Sequence, residues 1–364
     1  VAAVARKRLR EYGLLVGVLP TGKVNAITDV EGVSVGHCTL RQGEGVRTGV
    51  TAILPHPGNL FREKVPAAVH VINGYGKTAG LVQVEELGTI ESPILLTNTF
   101  SVPAVTQGAL QYLMERDGGI GEEAGSINVV VAECNDSYLN DMRGLHVRPE
   151  HAREALRRAE TGPVEEGSVG AGTGMVCFGW KGGIGTSSRR IPVGGDRYHI
   201  GVLVLSNFGK REDFHLLGVP VGRQLRGSPP EREADGSIII VVATDLPMDA
   251  QQLRRLARRA VFGLARTGSF ARHGSGDIVI AFSTGNRIPD IRGDGPPFYT
   301  LRRLPEDGEL LSHCFQAVAE ATEEAIYNSL FTAETTLGKK GRRVEALPVE
   351  RVVKGWRRGR IAGH

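Results

Sequence analysis

The sequence predicts an α+β protein in which sheets are sandwiched between helical layers. Three observations predict it: apolar runs too uniform for one-faced strands, helices with a single apolar stripe, and 49 glycines spread along all 364 residues. Dispersed glycine suits many strands joined by tight turns rather than one flexible linker.

The first strand is expected at Val33 to Cys38, where small and apolar residues alternate. Val69 to Ile72, Ile127 to Ala132, Ile200 to Leu205, Ile238 to Ala243 and Ile278 to Phe282 follow. Several of these lack polar alternation, so both faces should be covered. Pro149 to Glu160 reads as a short amphipathic helix. Asp249 can cap a helix through Leu253, Leu256, Ala257, Ala260, Val261 and Leu264, with Arg254, Arg255, Arg258 and Arg259 on its other side. Cys314 to Phe331 repeats that spacing, with Val318, Ala321, Ala325 and Leu330 inward and Glu320, Glu323 and Glu324 outward. No repeat, low-complexity tract or domain boundary divides the chain, so 1–364 reads as one domain.

Composition excludes several classes. A net charge of +4 comes from 44 basic and 40 acidic residues that are interspersed, which makes no field for nucleic acid. Aromatics are 5% and are not interleaved with arginines. The basic stretch Lys354 to Arg360 reads as a solvated tail. Cys38, Cys134, Cys177 and Cys314 form no CxxC pair and are expected to be reduced, partly buried thiols. The histidines show no H-x-x-x-H pair, so neither a metal nor another cofactor is expected. The basic N-terminal stretch lacks the apolar region of a secretory signal, and no run reaches transmembrane length. A soluble cytoplasmic protein is the expectation.

Four constellations carry chemistry. Asp235-Gly236-Ser237 stands directly before the run Ile238 to Thr244. Attack of the Ser237 hydroxyl on the Gly236 carbonyl would give an ester, and its hydrolysis would free an α-amine with a pKa of about 7.7–8.0 beside its own hydroxyl. A loop followed by a buried strand is the plainer reading of the same residues. His273-Gly274-Ser275-Gly276-Asp277 places a hydroxyl and a carboxylate two residues apart, aimed the same way by extended geometry, but it is not a G-x-S-x-G elbow. Glu133 to Asp141 packs polar side chains after a strand, and Asn207 follows another, where it could donate to an oxyanion or make an ordinary turn. Gly167 to Met175 lacks the lysine and spacing of a phosphate loop and reads better as close backbone approach between layers or as one wall of a cleft.

As an ordered set these elements, with Asn73-Gly74-Tyr75-Gly76-Lys77 and Leu96 to Val102, resemble the self-processing serine aminopeptidases that include the L-aminopeptidase/D-esterase and the β-peptidyl aminopeptidases. The resemblance covers nearly the whole chain. It implies a four-layer αββα sandwich similar to N-terminal nucleophile hydrolases but differently connected. It also implies self-cleavage into 1–236 and 237–364, and homo-oligomers. Residue by residue, Ser237 matches the nucleophile, Asn207 the oxyanion asparagine, Tyr138 a tyrosine beside the scissile bond, and Ser275 a serine near the nucleophile. Asp277 sits where the family varies between glutamate and aspartate, and Glu133 where an acid pairs with the substrate ammonium. The expected activity is release of N-terminal residues from short peptides, amino-acid amides or esters through an acyl-enzyme on Ser237. Its rivals are a related self-processing acyltransferase, for which threonine would be the expected nucleophile, an unprocessed small-molecule-binding protein, and catalysis by Ser275.

Overall fold

The apolar runs become strands covered on both faces. The computed structural model describes residues 6–225, 236–291, 297–306 and 308–361. In chain order the strands are β1 (Ser34–Gln42), β2 (Val46–Leu54), β3 (Glu63–Gly74), β4 (Thr78–Ala79), β5 (Thr89–Ile90), β6 (Ile94–Asn98) and β7 (Val130–Cys134). They continue as β8 (Val176–Cys177), β9 (Trp180–Lys181), β10 (Gly183–Val193), β11 (Asp196–Asn207), β12 (Ser237–Thr244), β13 (Gly276–Ser283) and β14 (Ile288–Pro289). The helices are α1 (Leu81–Leu87), α2 (Val102–Arg116), α3 (Pro149–Arg157), α4 (Val221–Gln224), α5 (Ala250–Ala257), α6 (Ala260–Arg266), α7 (Glu309–Phe331) and α8 (Val349–Ile361).

Among the described residues, one five-stranded sheet has the order β1-β2-β6-β7-β4. A seven-stranded sheet runs β10-β11-β12-β13-β3-β14, with β5 also on β3. Each contains one parallel pair joined through helices: β6 crosses by α2 to β7, and β12 crosses by α5 and α6 to β13. Alternate residues of each strand enter different cores. Val35, Ile53, Leu96 and Val130 of the smaller sheet meet Leu205, Ile239, Val241 and Ile280 of the larger. The opposite face of the larger sheet, with Val204, Ile240 and Val279, packs on Leu253, Leu264, Val318 and Ala325 of α5, α6 and α7. The outer face of the smaller sheet, with Val50 and Val131, packs on Val105 and Ala109 of α2 and Leu156 of α3. Two covered faces explain why β12 is buried at every position.

The structure corrects three expectations about helices. Asp249 does cap α5, accepting from Gln252 N at 2.9 Å, but the helix breaks after Ala257 and resumes as α6. Glu320, Glu323 and Glu324 of α7 do not face water; they are 2%, 5% and 0% exposed. The fully buried Arg189 of β10 reaches Glu320 at 3.0 Å and Glu324 at 2.8 Å, and Arg10 adds a second contact to Glu324 at 2.7 Å. From Ala317 to Phe331 this helix is covered on all sides, and Glu320 and Glu324 go inward with guanidinium groups beside them. The basic C-terminal stretch is not a loose tail but part of α8, whose Val352 and Val353 join the core around α7 while Arg357 and Arg358 stay exposed.

The glycine-rich segment performs the close approach expected of it. A Cβ at Gly174 would stand 2.2 Å from the Arg47 carbonyl oxygen of β2, and one at Gly172 would stand 2.6 Å from Ile184 N of β10. The four cysteines are free and buried. Among the described residues, no helix is long and apolar enough to cross a membrane.

Candidate active site

Three strands of the larger sheet end together at the Gly236-Ser237 junction. Ser237 opens β12, and its Cα is in register with Asn207, the last residue of β11, and with Gly276, the first of β13. Asp235 lies outside the described residues. Gly236 does not have a left-handed φ, so backbone strain is not what glycine supplies there. Space is: a Cβ on Gly236 would stand 1.9 Å from the Asn207 carbonyl oxygen. The Ser237 residue is 5% exposed, and its hydroxyl oxygen accepts from Gly276 N at 3.1 Å. A backbone N–H already aimed at that oxygen suits a developing alkoxide.

Ser275 and Asp277 do point the same way. The Ser275 hydroxyl donates to Asp277 Oδ1 at 2.5 Å, while the buried Asp277 Oδ2 has no hydrogen-bond partner among the described residues. Burial pushes the Asp277 carboxyl up to about 6, against the pull of the Ser275 hydroxyl and the Ile238 backbone amide. A serine hydroxyl donating to a carboxylate is also the pairing of an activated nucleophile, and Ser275 has it. The loop that carries it is held by a residue the motif gave no role: Asn73 Nδ2 reaches the carbonyl oxygens of Arg272 at 3.0 Å, His273 at 2.9 Å and Ser275 at 2.5 Å. A register shift falls beside it, between Asp277 and Ile278.

The chain then crosses between sheets, from β3 to β4. A Cβ on Gly76 would lie 3.4 Å from Gly276 Cα and 3.7 Å from Glu133 Oε1, so one glycine separates the serine row from the acid. Glu133 is the penultimate residue of β7 rather than part of the turn beyond it. Lys77 N donates to its Oε1 at 2.9 Å, and the Thr99 hydroxyl donates to its Oε2. Burial raises the Glu133 pKa, and those two donors moderate the rise. Beside this crossing a cavity of about 760 Å³ opens, lined by Val71, Gly74, Gly76, Thr78 and Ile278 among others.

Asn207 is fully buried, with its amide gripped at both ends. Val176 N donates to its Oδ1 at 2.9 Å, and its Nδ2 donates to the Asn135 carbonyl at 2.9 Å. Tyr138 stands in the turn after Asn135, its ring 4.7 Å from the Arg342 guanidinium carbon and packed with Leu139, Val176 and Val344. Its match to a tyrosine beside the scissile bond rests on the resemblance alone. Asn73 and Thr99 were legible as motif members but not as site residues, because their contacts depend on strands far away in sequence. Among the described residues no group of three His, Cys, Asp or Glu side chains could hold a metal ion.

Comparison with known proteins identifies the family. Peptidase family S58 matches residues 25–344. The β-peptidyl aminopeptidase BapA of Sphingosinicella microcystinivorans is 41% identical, over 98% of this chain and 94% of its own. The PH0078 protein of Pyrococcus horikoshii OT3 superposes with a TM-score of 0.90 at 50% identity, covering 97% of this chain and 99% of that one. The L-aminopeptidase D-Ala-esterase/amidase of Ochrobactrum anthropi, described as a prototype serine aminopeptidase and a variant of the Ntn hydrolase fold, superposes with a TM-score of 0.90 at 38% identity, covering 96% and 98%. The strand-end serine with its neighbouring asparagine therefore belongs to a peptidase, and the chain is a member of peptidase family S58.

Proposed function

We propose that the chain cuts itself between Gly236 and Ser237, giving pieces of 236 and 128 residues, and that the freed Ser237 is the nucleophile of this aminopeptidase. The observation that carries the reading is the register: the scissile carbonyl, the Ser237 hydroxyl, Asn207 and the Gly276 N–H stand on adjacent strand ends. In the first event, Ser237 Oγ bonds to the Gly236 carbonyl carbon and the peptide C–N bond breaks, with the hydroxyl proton passing to nitrogen. Water then hydrolyses the ester, leaving a Gly236 carboxylate and a Ser237 α-amine.

In turnover that amine, with a pKa of about 7.7–8.0, takes the hydroxyl proton as Ser237 attacks the substrate carbonyl. Asn207 stabilises the oxyanion, the amine leaving group departs with the proton, and water releases the acyl group. Ser275 and Asp277 support the nucleophile from β13. Glu133 receives the substrate ammonium, which limits attack to N-terminal residues of short peptides, amides or esters. Three apolar cores separated by two sheets support a four-layer αββα sandwich. We read the assembly as a homo-oligomer, which sedimentation tests.

Mass analysis under denaturing conditions tests the first event. Wild type should show the two pieces and Ser237→Ala one chain. An intact wild type, or a cleaved Ser237→Ala, overturns the reading. With an aminoacyl p-nitroanilide as substrate, acetylation of its amine should abolish turnover; unchanged turnover would remove Glu133 from its role.

A further inference from the structure

Glu133 and Asn207 stand on different sheets, yet a run of polar groups, buried at its centre, lies between them. Glu133 receives the Thr99 hydroxyl. Thr99 begins a short turn capped by Asn98, whose Oδ1 accepts from Phe100 N and Ser101 N, each at 3.1 Å. Asn98 Nδ2 donates to Thr48 Oγ1 at 2.7 Å. The Thr48 hydroxyl faces the carboxyl of Asp136 and lowers its pKa. Asn140 Nδ2 donates to Asp136 Oδ1 at 3.0 Å, and Arg47 N donates to Asn140 Oδ1 at 3.1 Å. Asp136 directly follows Asn135, whose carbonyl holds Asn207 Nδ2.

The middle of this run is inaccessible, with Thr48 1% exposed, Asn98 2%, Asp136 0% and Asn140 1%, while Thr99 is half-buried and Asn135 is exposed. Asp136 is also the costly member, since its Oδ2 has no hydrogen-bond partner and its carboxyl no ion pair among the described residues. The charged groups near it are Lys339 and the buried Lys181, whose Nζ is engaged by the Gly172 and Gly182 carbonyls at 2.8 Å each. A fold gains nothing from an interior acid left so poorly matched, because an apolar replacement of similar size is usually as stable or more so. Its surroundings account for its presence differently: Asn140 Nδ2 donates to it, Arg47 N of β2 donates to Asn140, and the residue so anchored directly follows Asn135, whose carbonyl takes Asn207 Nδ2.

We propose that Asp136, with Thr48 and Asn98, forms a positioning relay that holds the Asn207 amide and the Glu133 carboxylate in register across the two sheets. None of the three touches substrate. Their contribution is geometric, setting the distance between the group that receives the substrate ammonium and the group that receives the oxyanion. The inference rests on the catalytic reading of Ser237, Asn207 and Glu133.

The test turns on Thr48, because its two conservative replacements separate packing from hydrogen bonding. Thr48→Val keeps the volume and loses the hydroxyl; Thr48→Ser keeps the hydroxyl and loses a methyl. Both are compared with wild type on an aminoacyl p-nitroanilide, together with Asp136→Asn and Asp136→Ala. The relay predicts that Thr48→Val and Asp136→Ala lose about 100-fold in kcat, the scale expected when catalytic groups shift by about 1 Å. It predicts that Thr48→Ser stays close to wild type and that Asp136→Asn, which still accepts from Asn140, is intermediate. A Thr48→Val as active as wild type, with the loss in Thr48→Ser instead, is the packing result and overturns the relay while leaving the peptidase reading standing. A wild type without turnover overturns both.

Discussion

Glu320 and Glu324 on α7, and Glu133, Asp136 and Asp277 around Ser237, are all carboxyl groups taken out of water, and the protein treats the two sets in opposite ways. Burial pushes Glu324 up, but Arg10, Arg189 and Asn25 outweigh it and hold its pKa below the ordinary carboxylate range. Glu320 collects Arg189, Gln316 and the backbone amides of Val18 and Leu19. Among the described residues, no guanidinium forms an ion pair with Glu133, Asp136 or Asp277, and burial raises Glu133, lifts Asp136 to about 7 and lifts Asp277 to about 6. Where the acid only has to stay, its charge is matched; Glu133 and Asp277, to which the proposed function gives a substrate and a proton to answer, are left unmatched, and so is Asp136, to which the proposed relay gives a positioning part.

The largest expected effect lies in the matched set. Arg189→Met would leave Glu320 and part of Glu324 buried without their cation, at a loss of about 3–5 kcal/mol in urea unfolding. Activity per folded molecule should be unchanged, because Arg189 reaches no residue of the site. A loss under about 1 kcal/mol, the range of an exposed pair, would break the comparison. Next is Asn207→Ala in the unmatched set, expected to lower kcat by about 10²–10³-fold and to slow self-cleavage similarly. An unaltered cleavage rate in that variant would mean that the two events use different oxyanion donors.

The same contrast explains what the sequence could and could not reveal. Ser237 stood out because its signal is local: a glycine, a hydroxyl and an apolar strand in consecutive positions. The strands were legible because uniform apolar runs need two covered faces. Glu320, Glu323 and Glu324 were misplaced because a helical stripe of acids looks like a wet face, and the arginine that cancels two of them lies 131 residues from Glu320. The link from Thr48 to Asp136 was invisible for the same reason, since β2 and the turn after β7 meet only through tertiary pairing. Val352 and Val353 were overlooked just ahead of the basic stretch Lys354 to Arg360 because charge dominated the reading of that segment.

Asp277→Asn probes the unmatched set more finely. Its raised pKa means that the carboxylate form, which accepts the Ser275 hydroxyl, is populated above about 6 and lost as pH falls through that value. In the proposed mechanism the freed Ser237 amine imposes one acid limb from about pH 8. Wild-type log kcat should therefore fall with a slope of about 1 below that limb and steepen toward about 2 below pH 6. Asp277→Asn should show a lower plateau and a slope that stays near 1. A slope of about 2 in the variant would assign the second proton to another group and place Asp277 with the structural acids.

Each region is also stitched by an asparagine, and this difference is the smallest and most specific. Asn25 gives its Nδ2 to Glu324 at 2.6 Å and accepts Ser188 N at 2.9 Å, so both ends of its amide are used. Asn73 offers only its Nδ2, to three carbonyl oxygens of the loop that carries Ser275. Asn73→Ala removes those donors and should cost about 1–2 kcal/mol in stability, the range of one or two net hydrogen bonds. Asn73→Asp has the same shape but turns an acceptor toward three acceptors, so it should be worse than alanine, and its deficit should fall on kcat because the displaced loop carries Ser275. If Asn73 merely filled space, the isosteric aspartate would be the milder change. The order of those two variants in kcat therefore decides whether the loop is held by volume or by donated hydrogen bonds.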